Sequence, residues 1–111
     1  MALAFRGFVR LSCDDAKRVL SDVAPEKCFW VNKGPILHNV YELLNALKGM
    51  DDAKFAHHAD KEKNDFANWA DDVLKDNNLA RRIRNAKTRQ ATANVIAKRI
   101  DALEKIVLQG R

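Results

Sequence analysis

The sequence predicts a mainly α fold, a compact bundle of about five to six short helices with one small β-hairpin near residues 27–37. Three observations lead there. Between Met50 and Gly110 the chain has neither glycine nor proline, so no residue in that stretch is a strong helix breaker. Apolar residues recur at helical spacing, as in Val40, Leu43, Leu44 and Leu47 at i, i+3, i+4 and i+7. Only Lys27-Cys-Phe-Trp-Val31 is aromatic and β-branched enough to read as a strand. A length of 111 residues suits one globular domain, 1–111, with one core. At 47% apolar and 32% charged residues, the chain is balanced for packing and not for disorder.

Residues 1–11 alternate weakly through Leu3, Phe5, Phe8, Val9 and Leu11, which predicts an extended arm or short strand. Ser12 with Asp15 three places on resembles a capping box, opening a helix to about Val23 that Pro25 stops. The strand at 27–31 runs into Asn32-Lys-Gly-Pro35, a turn in which Gly34 can take a positive φ. Ile36-Leu37 then pairs back as a second short strand. His38 or Asn39 caps a helix from about Val40 to Lys48, with Gly49 as its C-terminal cap. Asp51 and Asp52 favour the start of the next helix, which is expected to break near Asp60. Asp60 can cap a helix over 61–75 with Phe66, Trp69, Ala70, Val73 and Leu74 on one side and Asp65, Asn68, Asp71 and Asp72 on the other. Asp76 or Asn77 restarts the chain into a short helix around Leu79–Arg84. Thr88 caps the last helix, about Arg89 to Leu108, a basic amphipathic segment within 88–111. Its Ile96, Ile100, Leu103 and Val107 form a two-heptad seam.

Composition narrows the function classes. The longest apolar run is far short of the roughly 20 residues that span a bilayer, so no membrane partner is expected. Arg6 interrupts the apolar start after a few residues and no small-residue cleavage site follows, which predicts a mature, cytoplasmic protein. Cys13 and Cys28 are too few for a disulfide framework or zinc knuckle and read as small buried thiols. The net charge of +5 is uneven: residues 1–78 sum to −2 and residues 79–111 to +7. An anionic partner is therefore a legitimate expectation for the last third.

The densest stretch of specific residues is Phe55–Trp69. Its adjacent histidines point about 100° apart on a helix, so His57 and His58 cannot face one site as a zincin pair does. One histidine is expected in the core, hydrogen-bonded to Asp60 or Asp65, and one in solvent. Asn64 and Asp65 lie near a helix start, where their side chains satisfy free N–H groups. The sharper alternative is a polar rim of Lys63, Asn64 and Asp65 beside an aromatic pocket, making His58, Asn64, Asp65 and Trp69 a candidate ligand site or structural hub. Asp71, Asp72 and Asp76 lack calcium-loop spacing and read as a solvated face. No phosphate loop or activated nucleophile is present, so neither an enzyme nor a cofactor is expected. Arg81, Arg82, Arg84, Lys87, Arg89, Lys98 and Arg99 are the candidate polyanion-binding set. Salt bridges from some of them to the acidic helix before them are the plainer reading.

In order, Phe29-Trp-Val-Asn-Lys-Gly-Pro, Val40-Tyr-Glu-Leu-Leu-Asn-Ala-Leu, Phe55…His58, Asn64-Asp-Phe-Ala-Asn-Trp69, Asp72-Val-Leu and Leu79-Ala resemble a small archaeal and bacterial family of domains of unknown function. The resemblance covers about residues 27–85 and leaves 88–111 outside. It makes His58 the family-type histidine and puts Asp60 where a cap such as Asn is common. Members occur alone or attached to larger proteins, including sugar-transferring enzymes, so the resemblance implies an accessory or binding module and supplies no catalytic residue.

The first functional expectation is thus a non-catalytic module for protein–protein interaction or self-association, using the seam of the last helix if one small domain leaves it uncovered. The second is nucleic-acid or polyanion binding through the basic third. The third is a small-ligand or metal site around His58.

Overall fold

The computed structural model describes residues 11–110. The arm or strand expected over 1–11 lies outside the described residues except for Leu11, which packs half-buried against the core. The chain runs α1 (Cys13–Leu20), a 3₁₀ turn (Pro25–Lys27), β1 (Phe29–Trp30), β2 (Ile36–Leu37), α2 (Val40–Gly49), α3 (Asp52–His58), α4 (Asp65–Asp72), α5 (Asn77–Asn85) and α6 (Arg89–Gln109). The fold is mainly α, as the sequence predicts. Among the described residues no helix is long and apolar enough to cross a membrane.

Every helix opens on a side-chain cap. Ser12, Asn39, Asp51, Asn64, Asp76 and Thr88 each accept the N–H three residues on, which satisfies one of the donors a helix start leaves free. Asp15 does not reach back to Ser12; its carboxylate lies 3.9 Å from Arg18. The far ends need more correction. α1 stops at Leu20, and Pro25 instead opens the 3₁₀ turn, where a missing N–H costs nothing. Gly49 is the last residue of α2 and Met50 its cap.

The helix expected over 61–75 is shorter at both ends. Asp60 caps no helix: its carboxylate accepts the N–H groups of Glu62 (2.8 Å) and Lys63 (3.0 Å), closing a tight loop. Ala59 and Asn64 then form an isolated bridge across that loop. At the other end Lys75 takes a left-handed conformation (φ 59°) and turns the chain into α5.

Long α6 is the spine, packing on α1, α2 and α5, while α4 packs on α5. Its Ile96, Ile100 and Leu103 are buried among Val19, Leu43, Leu47, Leu79 and Ile83 in one apolar cluster, with Val107 half-buried beside it. The seam expected to offer an association surface is therefore spent inside the fold.

β1 and β2 pair antiparallel, Phe29 opposite Leu37 and Trp30 opposite Ile36. Strand alternation sends Phe29, Val31 and Leu37 into the core and Trp30 and Ile36 outward. In the turn the left-handed residue is Lys33 (φ 54°), not Gly34. Gly34 is needed for a different reason: a Cβ there would lie 2.9 Å from Val31 Cγ1.

Candidate functional site

The last turn of α3 and the first of α4 bring His58 and Asp65 together. His58 is buried, and its ring sits 5.2 Å from Phe29 and 5.4 Å from Phe66, centroid to centroid. Its Nε2 accepts the backbone N–H of Asn32 at 3.0 Å. An acceptor at Nε2 places the ring proton on Nδ1 in the neutral imidazole. Nδ1 then donates to Asp65 Oδ2 at 3.0 Å. The same carboxylate oxygen receives Lys63 Nζ at 3.3 Å. Both ring nitrogens are thereby engaged. His57 is exposed, so the two histidines divide between core and surface as their helical spacing requires.

Trp69 complements His58. It is buried edge-on to Phe29, centroids 5.8 Å apart, and its Nε1–H donates to the carbonyl of Lys27 at 2.7 Å. His58 holds the backbone just after β1 and Trp69 holds it just before. Phe29 stacks on Phe66, and Phe66 on Phe55, at 5.2 and 5.6 Å. Asn64 caps α4 through its Oδ1, 3.0 Å from the Ala67 N–H. His58 and Trp69 thus hold the two-residue strand against α3 and α4, with Asp65 orienting His58 and Asn64 capping α4.

What that clamp holds outward is Trp30, 71% exposed beside Ile36 at 41%. Sequence reasoning placed Trp30 only within a convincing strand and did not single it out. The signal lay in strand alternation: with Phe29 and Val31 facing a core, Trp30 must face away. Next to Ile36 lies a groove of about 390 Å³, lined by Pro35, Leu37, His38, Glu42 and Ala46 among others. Glu42 Oε1 accepts the N–H of His38 at 2.7 Å and meets its ring Nδ1 at 2.9 Å, and these contacts hold the Glu42 carboxyl below the usual carboxylate range.

Several residues of the basic set have partners within the fold. Arg99 forms a buried, bidentate pair with Asp76, Nε to Oδ2 at 2.8 Å and Nη2 to Oδ1 at 2.9 Å, the side chains only 15% and 2% exposed. Asp76 is therefore no part of a solvated face. Arg89 spans the Leu47 carbonyl and Asp52. Arg84 meets Asp71 and Asn68, so the pairing of basic residues with the preceding acidic helix is present. Arg82 bonds Asn78. Arg81 and Lys98 are exposed and meet no carboxylate among the described residues.

Arg84 and Lys87 do share one place with the hub. A groove of about 790 Å³ lies between the 59–64 loop and the end of α5, lined by Lys61, Lys63, Asn64, Asn68, Arg84 and Lys87 among others, the acids Asp60 and Glu62 included. Among the described residues no group of three His, Cys, Asp or Glu side chains could hold a metal ion. Cys13 and Cys28 are free thiols, both half-buried. No family model, curated protein or solved structure matches this chain. The resemblance around Asn64-Asp-Phe-Ala-Asn-Trp69 stands on those residues alone.

Proposed function

We propose that the chain is a non-catalytic protein-interaction module whose contact surface is the outer face of the hairpin. The observation that carries this is Trp30, 71% exposed on a strand whose backbone is clamped on both sides. Tryptophan loses little conformational entropy on binding and dominates interface energetics when it is held ready. Two buried side chains, His58 and Trp69, are committed to holding this strand in place, and a rigid presenting element supports that reading.

The partner is a short segment of another protein. Trp30 and Ile36 cover far less than the roughly 800 Å² per partner of a standard stable interface, which argues against an obligate dimer. The adjoining groove accepts one aliphatic side chain between Pro35, Leu37 and Ala46, and ionised Glu42 favours a basic residue next to it.

Selection of a displayed random-peptide library on the full chain tests this. The expected result is enrichment of peptides with an aliphatic and a basic residue, whose affinity by calorimetry falls at least about tenfold with Trp30→Ala. Thermal melting of the variant should be unchanged. No enrichment, or enriched peptides indifferent to Trp30→Ala, would overturn the reading.

A further inference from the structure

The second groove has a chemistry of its own. Its walls carry Lys61, Lys63, Arg84 and Lys87 against Asp60 and Glu62. One oxygen of the exposed Asp60, Oδ1, accepts the N–H groups of Glu62 and Lys63, which hold its carboxyl below the usual carboxylate range. Arg84 is positioned from behind, Nη1 on Asp71 at 3.3 Å and Nη2 on Asn68 Oδ1 at 3.1 Å. Its side chain is still 45% exposed, and a guanidinium has five N–H donors. Lys87 Nζ meets only a backbone carbonyl, that of Arg84, at 3.2 Å. The amide oxygen of Asn68 accepts from Arg84 and that of Asn64 from the Ala67 N–H of α4, which leaves the NH₂ group of each to donate to new partners. Four cationic side chains thus meet two carboxylates along a lining that also includes Phe55 and Ala59.

We infer that this groove binds a small phosphate-bearing ligand, with Arg84, Lys61 and Lys87 neutralising the phosphate and the Asn64 and Asn68 amides donating to its oxygens. A volume of about 790 Å³ lies within the range of small-molecule sites. A polynucleotide fits less well. Arg89 and Arg99 are already engaged, Arg81 and Lys98 do not line the groove, and its one aromatic, Phe55, is buried and offers no stacking platform. Trp30 and Ile36 do not line it either, so this site is independent of the hairpin face.

An amide-resolved NMR titration of the full chain with inorganic phosphate tests the inference, with sodium chloride at matched ionic strength as control and a duplex DNA as a second arm. Phosphate should give saturable shifts at the Asn64 and Asn68 side-chain amides and in residues 60–64 and 84–87. Lys61→Gln/Lys87→Gln, which removes two side chains that form no ion pair among the described residues, should weaken binding by about tenfold. Lys98→Gln should leave it unchanged. Shifts reproduced by chloride, shifts that do not saturate, or a phosphate affinity indifferent to the double variant would overturn the site. So would a response to duplex DNA alone that weakens with Lys98→Gln.

Discussion

Two polar junctions are buried in this small fold, and they differ in kind. At the first, His58 uses a ring nitrogen on a backbone amide and a ring proton on Asp65, so a neutral side chain ties the hairpin to two helices. At the second, a full ion pair between Asp76 and Arg99 ties the start of α5 to α6. Asp76 Oδ1 also accepts the Leu79 N–H at 3.1 Å as the α5 cap. The two junctions would therefore fail in different places. Loss of the neutral one frees an amide of the hairpin. Loss of one partner of the charged one strands a charge in the interior.

The largest effect is therefore expected from Arg99→Ala, which leaves Asp76 buried without its partner and should cost about 3–5 kcal/mol in chemical denaturation. A loss below about 1 kcal/mol would mean that water reaches Asp76 and that the charged junction is the weaker of the two. His58→Ala should cost less, about 2–3 kcal/mol, from a lost acceptor for Asn32 and a hole beside Phe29 and Phe66. Its local signature should be faster hydrogen exchange at Asn32 without exchange in α6. Trp69→Phe keeps an aromatic ring against Phe29 but removes the bond to Lys27 and some ring volume, for about 1–2 kcal/mol. Lys75→Gly should gain up to about 1 kcal/mol by relieving the left-handed backbone between α4 and α5.

A titration sharpens the contrast from outside both junctions. Partial burial, with the Glu104 carboxylate 2.7 Å from its hydroxyl, pushes the Tyr41 phenol up to about 12. The folded state thus holds this proton more tightly than the unfolded one. The stability linked to it is present below pH 10 and is lost as pH rises from there through about 12. Melting temperatures of the parent and Tyr41→Phe, compared across that window, should show a steeper fall in the parent.

Much of the fold was legible because local chemistry decides it. The apolar spacing of α2 and the caps at Ser12, Asn39 and Thr88 need no distant partner to be read. The division of His57 from His58 followed from helical geometry alone. What was not legible depended on residues far away in sequence. Asp76 looks like its acidic neighbours until Arg99, 23 residues on, folds over it. The α6 seam looks like an open interface until α1 and α2 cover it. Composition could not show that Arg84, Arg89 and Arg99 meet carboxylates elsewhere in the fold. The groove uniting Asn64 with Arg84 and Lys87 exists only once the 59–64 loop stands beside α5.

The unequal fates of the two tryptophans have a spectroscopic consequence. Trp69 is 7% exposed and Trp30 is 71% exposed, and the chain has no other tryptophan. Emission from Trp30 should lie to the red and be quenched readily by acrylamide, while Trp69 should emit to the blue and resist quenching. With each tryptophan replaced in turn by phenylalanine, the same unlabelled protein reports separately on events at its hairpin face and on the loosening of its interior.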